Sequence, residues 1–442
     1  MSGDKILISD PVSPVCGEIL RAAGLEVEER AGLSLPDLKR ELSRAVGLVV
    51  RSETKVSEEV LAAAPALRVV GRAGTGVDNI DVTAATRRGV VVMNAPGENT
   101  IAAAEHTLSL MLALARNIPA ADRSLKAGEW ERTRFLGVEL HGKVLGVVGL
   151  GKVGREVAYR ARAFGMEVRG FDPFLPEEVA ARLGFMLLPL RDLAAQCDFL
   201  TVHVPLNTQT RHLIGEAELK GCKRGLRLVN CARGGIVDEA ALAKALDDGR
   251  VVGAALDVFE KEPPGPAHPL VARNQVVATP HLGASTVEAQ EKVAVRIAEQ
   301  IVGYLQRGSV SGAVNVDSIE PEVFRAIGPW LDLAERLGRL QGHLTRGAVR
   351  EATVEFSGAI LEHPVQLLVA AFLKGYLERI VTEPVNLINA PLLAKEMGLR
   401  VHEVRASDPA DYTSLIVTTL AAPSASRTLG GTLFGKRDLR MV

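Results

Sequence analysis

The 442-residue sequence is short of several things. Aromatic residues make up only 4% of it, so Val, Ile, Leu and Ala must fill its cores. Its four cysteines, Cys16, Cys197, Cys222 and Cys231, form no CxxC pair and no zinc-like spacing. That excludes a disulfide scaffold, gives no reason to expect a metal, and fits a reducing compartment. Neither sign of charge is in excess: 52 Lys and Arg face 53 Asp and Glu, for a net charge of -1. This argues against nucleic acid or an anionic membrane as the main partner, although a local basic cleft would be hidden in the sum. Long apolar runs are missing too. The longest, around Val365 to Leu373, is about half the ~20 residues a membrane span needs. The start, MSGDKILISD, reaches Asp10 after a short apolar run and does not read as a signal peptide. A soluble, cytoplasmic protein is expected.

Apolar residues make up 47% of the chain. At roughly 100–200 residues per domain, two to four domains are expected. Short β-like runs alternate with helix-like segments as far as about Val316. They are Ile6–Ile8, Gly47–Val50, Arg68–Gly71, Val90–Met93, Val144–Val148, Glu167–Phe171, Phe199–Val204, Leu226–Asn230, Gly253–Leu256 and Val276–Ala278. Continuous apolar strands of this kind suit parallel sheets covered by helices on both faces. Ile101 to Ala115 is an amphipathic helix, with Ile101, Leu108, Met111, Leu112 and Ala115 on one face. After about Val316 the pattern becomes α+β: a helix over Arg325–Leu344, a strand over Ala352–Phe356, a helix around Val365–Val381, and strands over Arg400–Arg405 and Ser414–Leu420.

One turn stands out. The strand Val144–Val148 feeds Gly149-Leu150-Gly151-Lys152-Val153-Gly154, and a helix-like stretch follows. In a dinucleotide-binding turn, Gly149 allows the tight bend, Gly151 leaves room for a pyrophosphate, and Gly154 lets helix and strand pack closely. The free N–H groups at the helix start suit phosphate. Asp172 ends the next strand, where a carboxylate bonds a ribose 2′-OH and repels a 2′-phosphate. NAD is therefore expected in preference to NADP. Because this turn comes late, the residues upstream of it, with their own strand–helix alternation, suggest a second α/β domain wrapped around the cofactor domain.

Three later segments follow predicted parallel strands and hold acid–base groups: Asn230–Gly235, Asp257–Pro264 and Thr279–Ala284. Strand ends form the ligand crevice of open α/β sheets. Oxidising a 2-hydroxy acid needs a base for the hydroxyl proton, a cation for the carboxylate, and a partner that orients the base. His281 suits the first role, since an imidazole titrates near neutrality. Arg233 offers a planar fork for a carboxylate, and Glu262 would favour protonated His281. The same three residues also read as a capping histidine, a loop carboxylate and a surface arginine.

The motifs GRAGTGVDNID (Gly71–Asp81), NAPGENTIAAAEHT (Asn94–Thr107), GLGKVGREVA, CARGGIVDE (Cys231–Glu239), ALDVFEKEPP and TPHLGAST occur in that order. In them the sequence resembles the D-isomer-specific 2-hydroxyacid dehydrogenases. The resemblance implies a Rossmann-type NAD domain, residues 98–283, inserted into a flavodoxin-like α/β substrate domain, residues 1–97 and 284–315. It implies a triad of Arg233, Glu262 and His281. It places Thr75, Gly149, Gly151, Lys152, Val153, Gly154, Asp172, Val204, Cys231, Ala232, Arg233, Asp257, His281, Gly283 and Ala284 at the NAD site, with Asp257 toward the nicotinamide. Arg51, Ser52, Arg72, Asn99 and Arg132 match substrate positions, Arg132 at a neighbouring subunit's site. Several guanidiniums suit a substrate carrying both carboxylate and phosphate.

Within the family the sequence looks like the branch that oxidises 3-phospho-D-glycerate to 3-phosphohydroxypyruvate, the entry to serine synthesis. A reductase of another 2-keto acid (glyoxylate, hydroxypyruvate or 2-oxoglutarate) and an NAD-sensing, corepressor-like protein are the alternatives. Residues 316–442 resemble the extra α+β domain of long members of that branch, with Thr428–Gly435 as its closing strand. The sequence stops at Val442, so the ACT domain that follows in such members is expected either to be cut off from this sequence or to be missing from the protein. A homodimer through the NAD domain and a homotetramer through the extra domain are implied, the latter with either an anion effector site or a purely structural role.

Overall fold

The computed structural model describes residues 4–265, 267–317, 321–345, 347–422, 425–435 and 437–442. The chain divides into two compact units, Met1–Pro96 with Glu291–Val442, and Gly97–Gln290.

The first unit opens with five strands: β1 (Lys5–Ile8), β2 (Glu26–Glu29), β3 (Ala45–Val50), β4 (Val69–Arg72) and β5 (Val91–Asn94). All are parallel, in the order β2-β1-β3-β4-β5. That is the flavodoxin-like order, whose direction reverses between β1 and β3. Successive residues explain the unbroken apolar runs. Ile6 and Val49 face one core, Leu7, Leu48 and Val50 the other. Helix Val287–Arg307 returns to the first face, burying Val293, Ile297 and Ile301. A Cβ on Gly71 would lie 2.7 Å from Ile297, so only glycine in β4 lets that helix approach. Strand β2 does not stand out in the sequence, because EVEE is an edge strand without a buried residue.

The second unit holds β6 (Val144–Val148), β7 (Glu167–Phe171), β8 (Met186–Leu187), β9 (Phe199–Val202), β10 (Leu226–Asn230), β11 (Val251–Leu256) and β12 (Val276–Ala278). The parallel order β12-β11-β10-β9-β6-β7-β8 is the doubly wound dinucleotide-binding order with one strand added. Here the reversal falls between β6 and β9. Helices Thr100–Ala115 and Lys152–Ala163 cover one face; Leu190–Gln196, Glu216–Gly221 and Glu239–Asp247 cover the other. The single apolar face expected for Ile101–Ala115 is corrected by the structure. Ile101 is 44% exposed, while Ala103, Ala104, Leu110 and Leu114 are buried. The helix packs against both the sheet and helix Lys152–Ala163, so burial runs around much of its circumference.

The remainder of the first unit forms a mixed sheet of β13 (Glu351–Gly358), β14 (Arg400–Ala406), β15 (Ser414–Ala422), β16 (Ala425–Phe434) and β17 (Asp438–Met441), ordered β14-β13-β15-β16-β17. Only the β13–β14 pairing is parallel. Helices Pro321–Leu344 and Gln366–Leu377 pack on it through Leu337, Phe372 and Phe356. Asn386 and Asn389 donate to the carbonyls of Gly89 and Arg87, and Arg87 pairs with Glu396 at 2.6 Å, fastening this module to the flavodoxin-like sheet. Among the described residues, no helix is long and apolar enough to cross a membrane.

Candidate active site

The glycine turn lies at the strand-order reversal of the second unit, and its three glycines serve different ends. Gly149 has φ +93°, and a Cβ there would lie 2.7 Å from the His203 carbonyl and from Val204. A Cβ on Gly154 would lie 1.9 Å from the Gly149 carbonyl. Both are demanded by packing. A Cβ on Gly151, in contrast, would meet nothing within 4 Å. The fold does not need that glycine, but a phosphate approaching the start of helix Lys152–Ala163 would. Lys152 lies beside Gly97, and the Val153 side chain packs into the core, so Val153 offers the turn its backbone. Asp172 accepts the Leu150 N–H at 2.9 Å and the Phe174 N–H at 2.9 Å. Its carboxylate thus borders the glycine turn, where a ribose diol would have to lie.

His281 and Glu262 meet directly, Nδ1 to Oε2 at 2.7 Å. Glu262 Oε1 accepts the Phe259 N–H at 3.1 Å. Burial alone would raise the Glu262 carboxyl. The hydrogen bond and charge of His281, with the Phe259 N–H, hold it below the usual carboxylate range. Arg233 follows β10 on a turn built by Asn230, which accepts the Ala232 N–H at 3.0 Å and donates to the Arg233 carbonyl at 3.0 Å. Arg233 Nη1 donates to the Ala232 carbonyl at 2.6 Å. A Cβ on Gly234 would lie 1.8 Å from the Phe259 carbonyl, so the arginine turn rests backbone to backbone on the loop that carries Glu262.

Asp257, at the end of β11, organises the histidine turn. Its side chain is fully buried. Oδ1 accepts from Leu282 N–H at 2.7 Å and from the Thr279 hydroxyl at 2.6 Å; Oδ2 accepts from Gly283 N–H at 2.8 Å. Its main-chain carbonyl accepts the His281 N–H at 2.9 Å, and its N–H donates to the Asn230 carbonyl at 3.0 Å. Burial would raise this carboxyl, but bonds from His106, Thr279 and Leu282 hold it below its ordinary range. His281 itself has φ +56°, a left-handed conformation that a non-glycine residue adopts at a cost of ~1 kcal/mol or more. Burial pushes the Cys231 thiol up to about 12, which disfavours the thiolate a nucleophile needs. Ala232 and Ala284 are half-buried on the same turns.

In the first unit, the expected anion loop follows β3 at the reversal between β1 and β3. Buried Asp10 accepts the N–H of Arg51 at 2.6 Å, of Glu53 at 3.1 Å and of Thr54 at 3.0 Å. Asn79 donates to the carbonyls of Arg51 and Thr54 at 3.1 and 2.7 Å. Ser52 is exposed. Arg72 ends β4 with its guanidinium folded across Gly74, and the Thr75 carbonyl accepts from Asn94 at 2.5 Å. In the second unit, Asn99 stands just before helix Thr100–Ala115 without a side-chain cap bond to it, and Arg132 is exposed in the short turn Arg132–Phe135. Asp10, Asn79 and His106 are functional-site groups that the motifs alone do not single out. Asp10 had a signal: like Asp172 and Asp257, it lies within two residues of the end of an apolar strand. Among the described residues, no group of His, Cys, Asp and Glu could hold a metal ion.

This chain is similar to known proteins. Residues 108–283 match the family described as D-isomer specific 2-hydroxyacid dehydrogenase, NAD binding domain, and residues 326–442 match D-3-phosphoglycerate dehydrogenase intervening domain. The D-3-phosphoglycerate dehydrogenase of Archaeoglobus fulgidus is 46% identical over 431 residues, 98% of this chain and 82% of that protein. Among solved structures, the TT0316 protein of Thermus thermophilus aligns with a TM-score of 0.64 and 36% identity, over 70% of this chain and 99% of that one. A glyoxylate reductase from Paecilomyes thermophila aligns with a TM-score of 0.64 and 30% identity, over 71% and 99%. With the motifs seated at strand ends and a relative 46% identical over 98% of this chain, the chain belongs to the D-isomer-specific 2-hydroxyacid dehydrogenases.

Proposed function

We propose that the chain oxidises 3-phospho-D-glycerate to 3-phosphohydroxypyruvate with NAD, the entry to serine synthesis. The observation that carries the chemistry is the 2.7 Å pair of His281 and Glu262. The substrate is supported by the likeness, through the intervening domain, to D-3-phosphoglycerate dehydrogenases.

Glu262, ionised, accepts the Nδ1 proton of His281, which leaves Nε2 as the base. His281 Nε2 takes the C2 hydroxyl proton as the C2–H bond breaks, and the imidazolium is stabilised by Glu262. Arg233 pairs with the substrate carboxylate. NAD supplies the hydride acceptor when bound. Gly149–Gly154 would receive its pyrophosphate and Asp172 its ribose diol, with Thr75, Val204, Cys231, Ala232, Asp257, Gly283 and Ala284 completing the site. Arg51, Ser52, Arg72, Asn99 and Arg132 are assigned to substrate anions as part of the same proposal.

Residues 1–97 with 284–315 are read as the substrate domain, 98–283 as the cofactor domain and 316–442 as an oligomerisation or regulatory domain. A homodimer through the cofactor domain is supported by an exposed apolar segment holding Ile118, Leu125, Trp130 (75% exposed) and Leu136 (87%). Tetramer contacts are assigned to the third domain. A cytoplasmic setting is supported by four free thiols.

A substrate panel tests the reading. Turnover with 3-phosphoglycerate should exceed that with lactate, glycerate and 2-hydroxyglutarate; equal or better turnover of any of these would overturn the substrate assignment.

A further inference from the structure

We infer that His106 is a positioning residue for the catalytic turn, acting on His281 through the Asp257 carboxylate. The inference rests on the proposed role of His281 as the base.

His106 lies on helix Thr100–Ala115, in a stretch of chain far from the strand ends that carry the triad. Its Nε2 lies 3.1 Å from Asp257 Oδ1 and 3.2 Å from Thr279 Oγ1. The direction of these bonds can be deduced. An ionised carboxylate only accepts, so the ring nitrogen facing Asp257 must carry a proton. The Thr279 hydroxyl already gives its proton to Asp257, so toward His106 its oxygen accepts. His106 Nε2–H is therefore a donor shared between the two.

Asp257 Oδ1 thus takes three donors, from His106, Thr279 and Leu282, while Oδ2 takes Gly283. Three of these four donors belong to residues 279–283, the turn that carries His281. His106 is the fourth, and it alone comes from a different element. Without it, the carboxylate would be fastened only to the turn it is meant to hold. With it, Asp257 is tied to a helix buried around much of its circumference, and the left-handed conformation of His281 is held against a fixed reference. The side chain of His106 is 19% exposed, and its Nε2 faces Asp257 and Thr279. Its contribution is to angle and distance, where a 1 Å error can cost ~100-fold in rate.

The test is single-turnover NADH formation with excess enzyme, NAD and 3-phosphoglycerate. The amplitude reports the competent fraction and the rate constant reports the chemical step. Three variants are compared with wild type. His106→Leu removes the donor at similar volume. His106→Gln puts an amide N–H near the Nε2 position, and His106→Asn puts one too short to reach Asp257. The expected result is a rate constant lowered about ten-fold or more in H106L and H106N, with recovery to within about three-fold in H106Q. A rate constant at the wild-type level in H106N, or an H106Q as slow as H106N, overturns the proposal. So does a loss confined to the amplitude, which marks His106 as structural only. If H106L does not fold, the Asn and Gln pair, which differ by one methylene, decides the matter. If wild type does not turn over 3-phosphoglycerate, the substrate reading fails instead. The variants are then compared on the best 2-hydroxy acid of the panel, since the argument concerns the turn and not the substrate.

Discussion

Two loops of this molecule are built on the same plan and finished differently. In each, an aspartate just past a parallel strand accepts backbone N–H groups of the loop after a neighbouring strand. Asp10, after β1, holds Arg51–Thr54 after β3; Asp257, after β11, holds Leu282 and Gly283 after β12. The difference lies in what else is tied. The Asp10 loop is closed by its own Thr54 hydroxyl and by Asn79, 25 residues further along the chain. Asp257 reaches outside, to His106 on a helix and, by its main chain, to the Asn230 and Arg233 turn. As proposed, the Asp10 loop need only attract charge, which demands less positional precision. A turn that must aim a base is braced from several elements, because catalysis tolerates less positional error than charge attraction does.

The contrast is sharpest in the groups the two loops carry. His281→Asn is expected to lower kcat ~1,000-fold, as loss of a general base does, with NAD affinity intact. Steady-state turnover and a fluorescence titration of NAD check both halves. Next come the aspartates themselves. Asp257→Asn and Asp10→Asn should each cost ~3 kcal/mol of unfolding free energy in denaturant titrations, since a carboxylate gripping buried N–H groups is lost. The kinetic signatures should part company: D257N in kcat, D10N in the substrate KM. Equal kcat losses would end the comparison.

Acid should show the Asp257 term separately. Its folded carboxyl is held below its usual value, so its stabilisation is present above the unfolded carboxylate range and is lost as pH falls through the folded value. D257N should flatten that slope. A smaller effect belongs to Asp172, the third aspartate of this kind. D172A should weaken the preference for NAD over NADP by ~10-fold, seen in the ratio of kcat/KM values. Least of all, Thr54→Val and Thr279→Val should each cost ~1 kcal/mol, one hydroxyl bond to its aspartate. If T279V also slows hydride transfer and T54V does not, the bracing argument is strengthened.

Much of this was legible in the sequence, for a physical reason. Strands buried on both faces write unbroken apolar runs, and β1, β3, β6, β9 and β10 lie where those runs do. Edge strands have one neighbour and less burial, so β2, with EVEE, and β8, with two residues, left no such trace. Helix Thr100–Ala115 was found, yet its buried side was misjudged at Ile101, since which faces are covered depends on two packing partners distant in sequence. The glycine turn was legible because its conformational demands sit in consecutive residues. Asp10, Asn79 and His106 were not, because their partners lie 41, 25 and 151 residues away.

The Asp10 loop also bears on how this scaffold can change. Apart from the Thr54 hydroxyl, Asp10 and Asn79 grip peptide groups of the loop. The shape of the loop is therefore nearly independent of the side chains at Ser52 and Glu53, both of which are exposed. Proline is the exception at 53, whose N–H is needed. Such a loop is an evolvable one. New side chains at these two positions can be sampled at little cost in stability, while the aspartate beneath keeps the backbone in place. A library confined to residues 52 and 53 is a natural starting point for redirecting the enzyme to other 2-hydroxy acids.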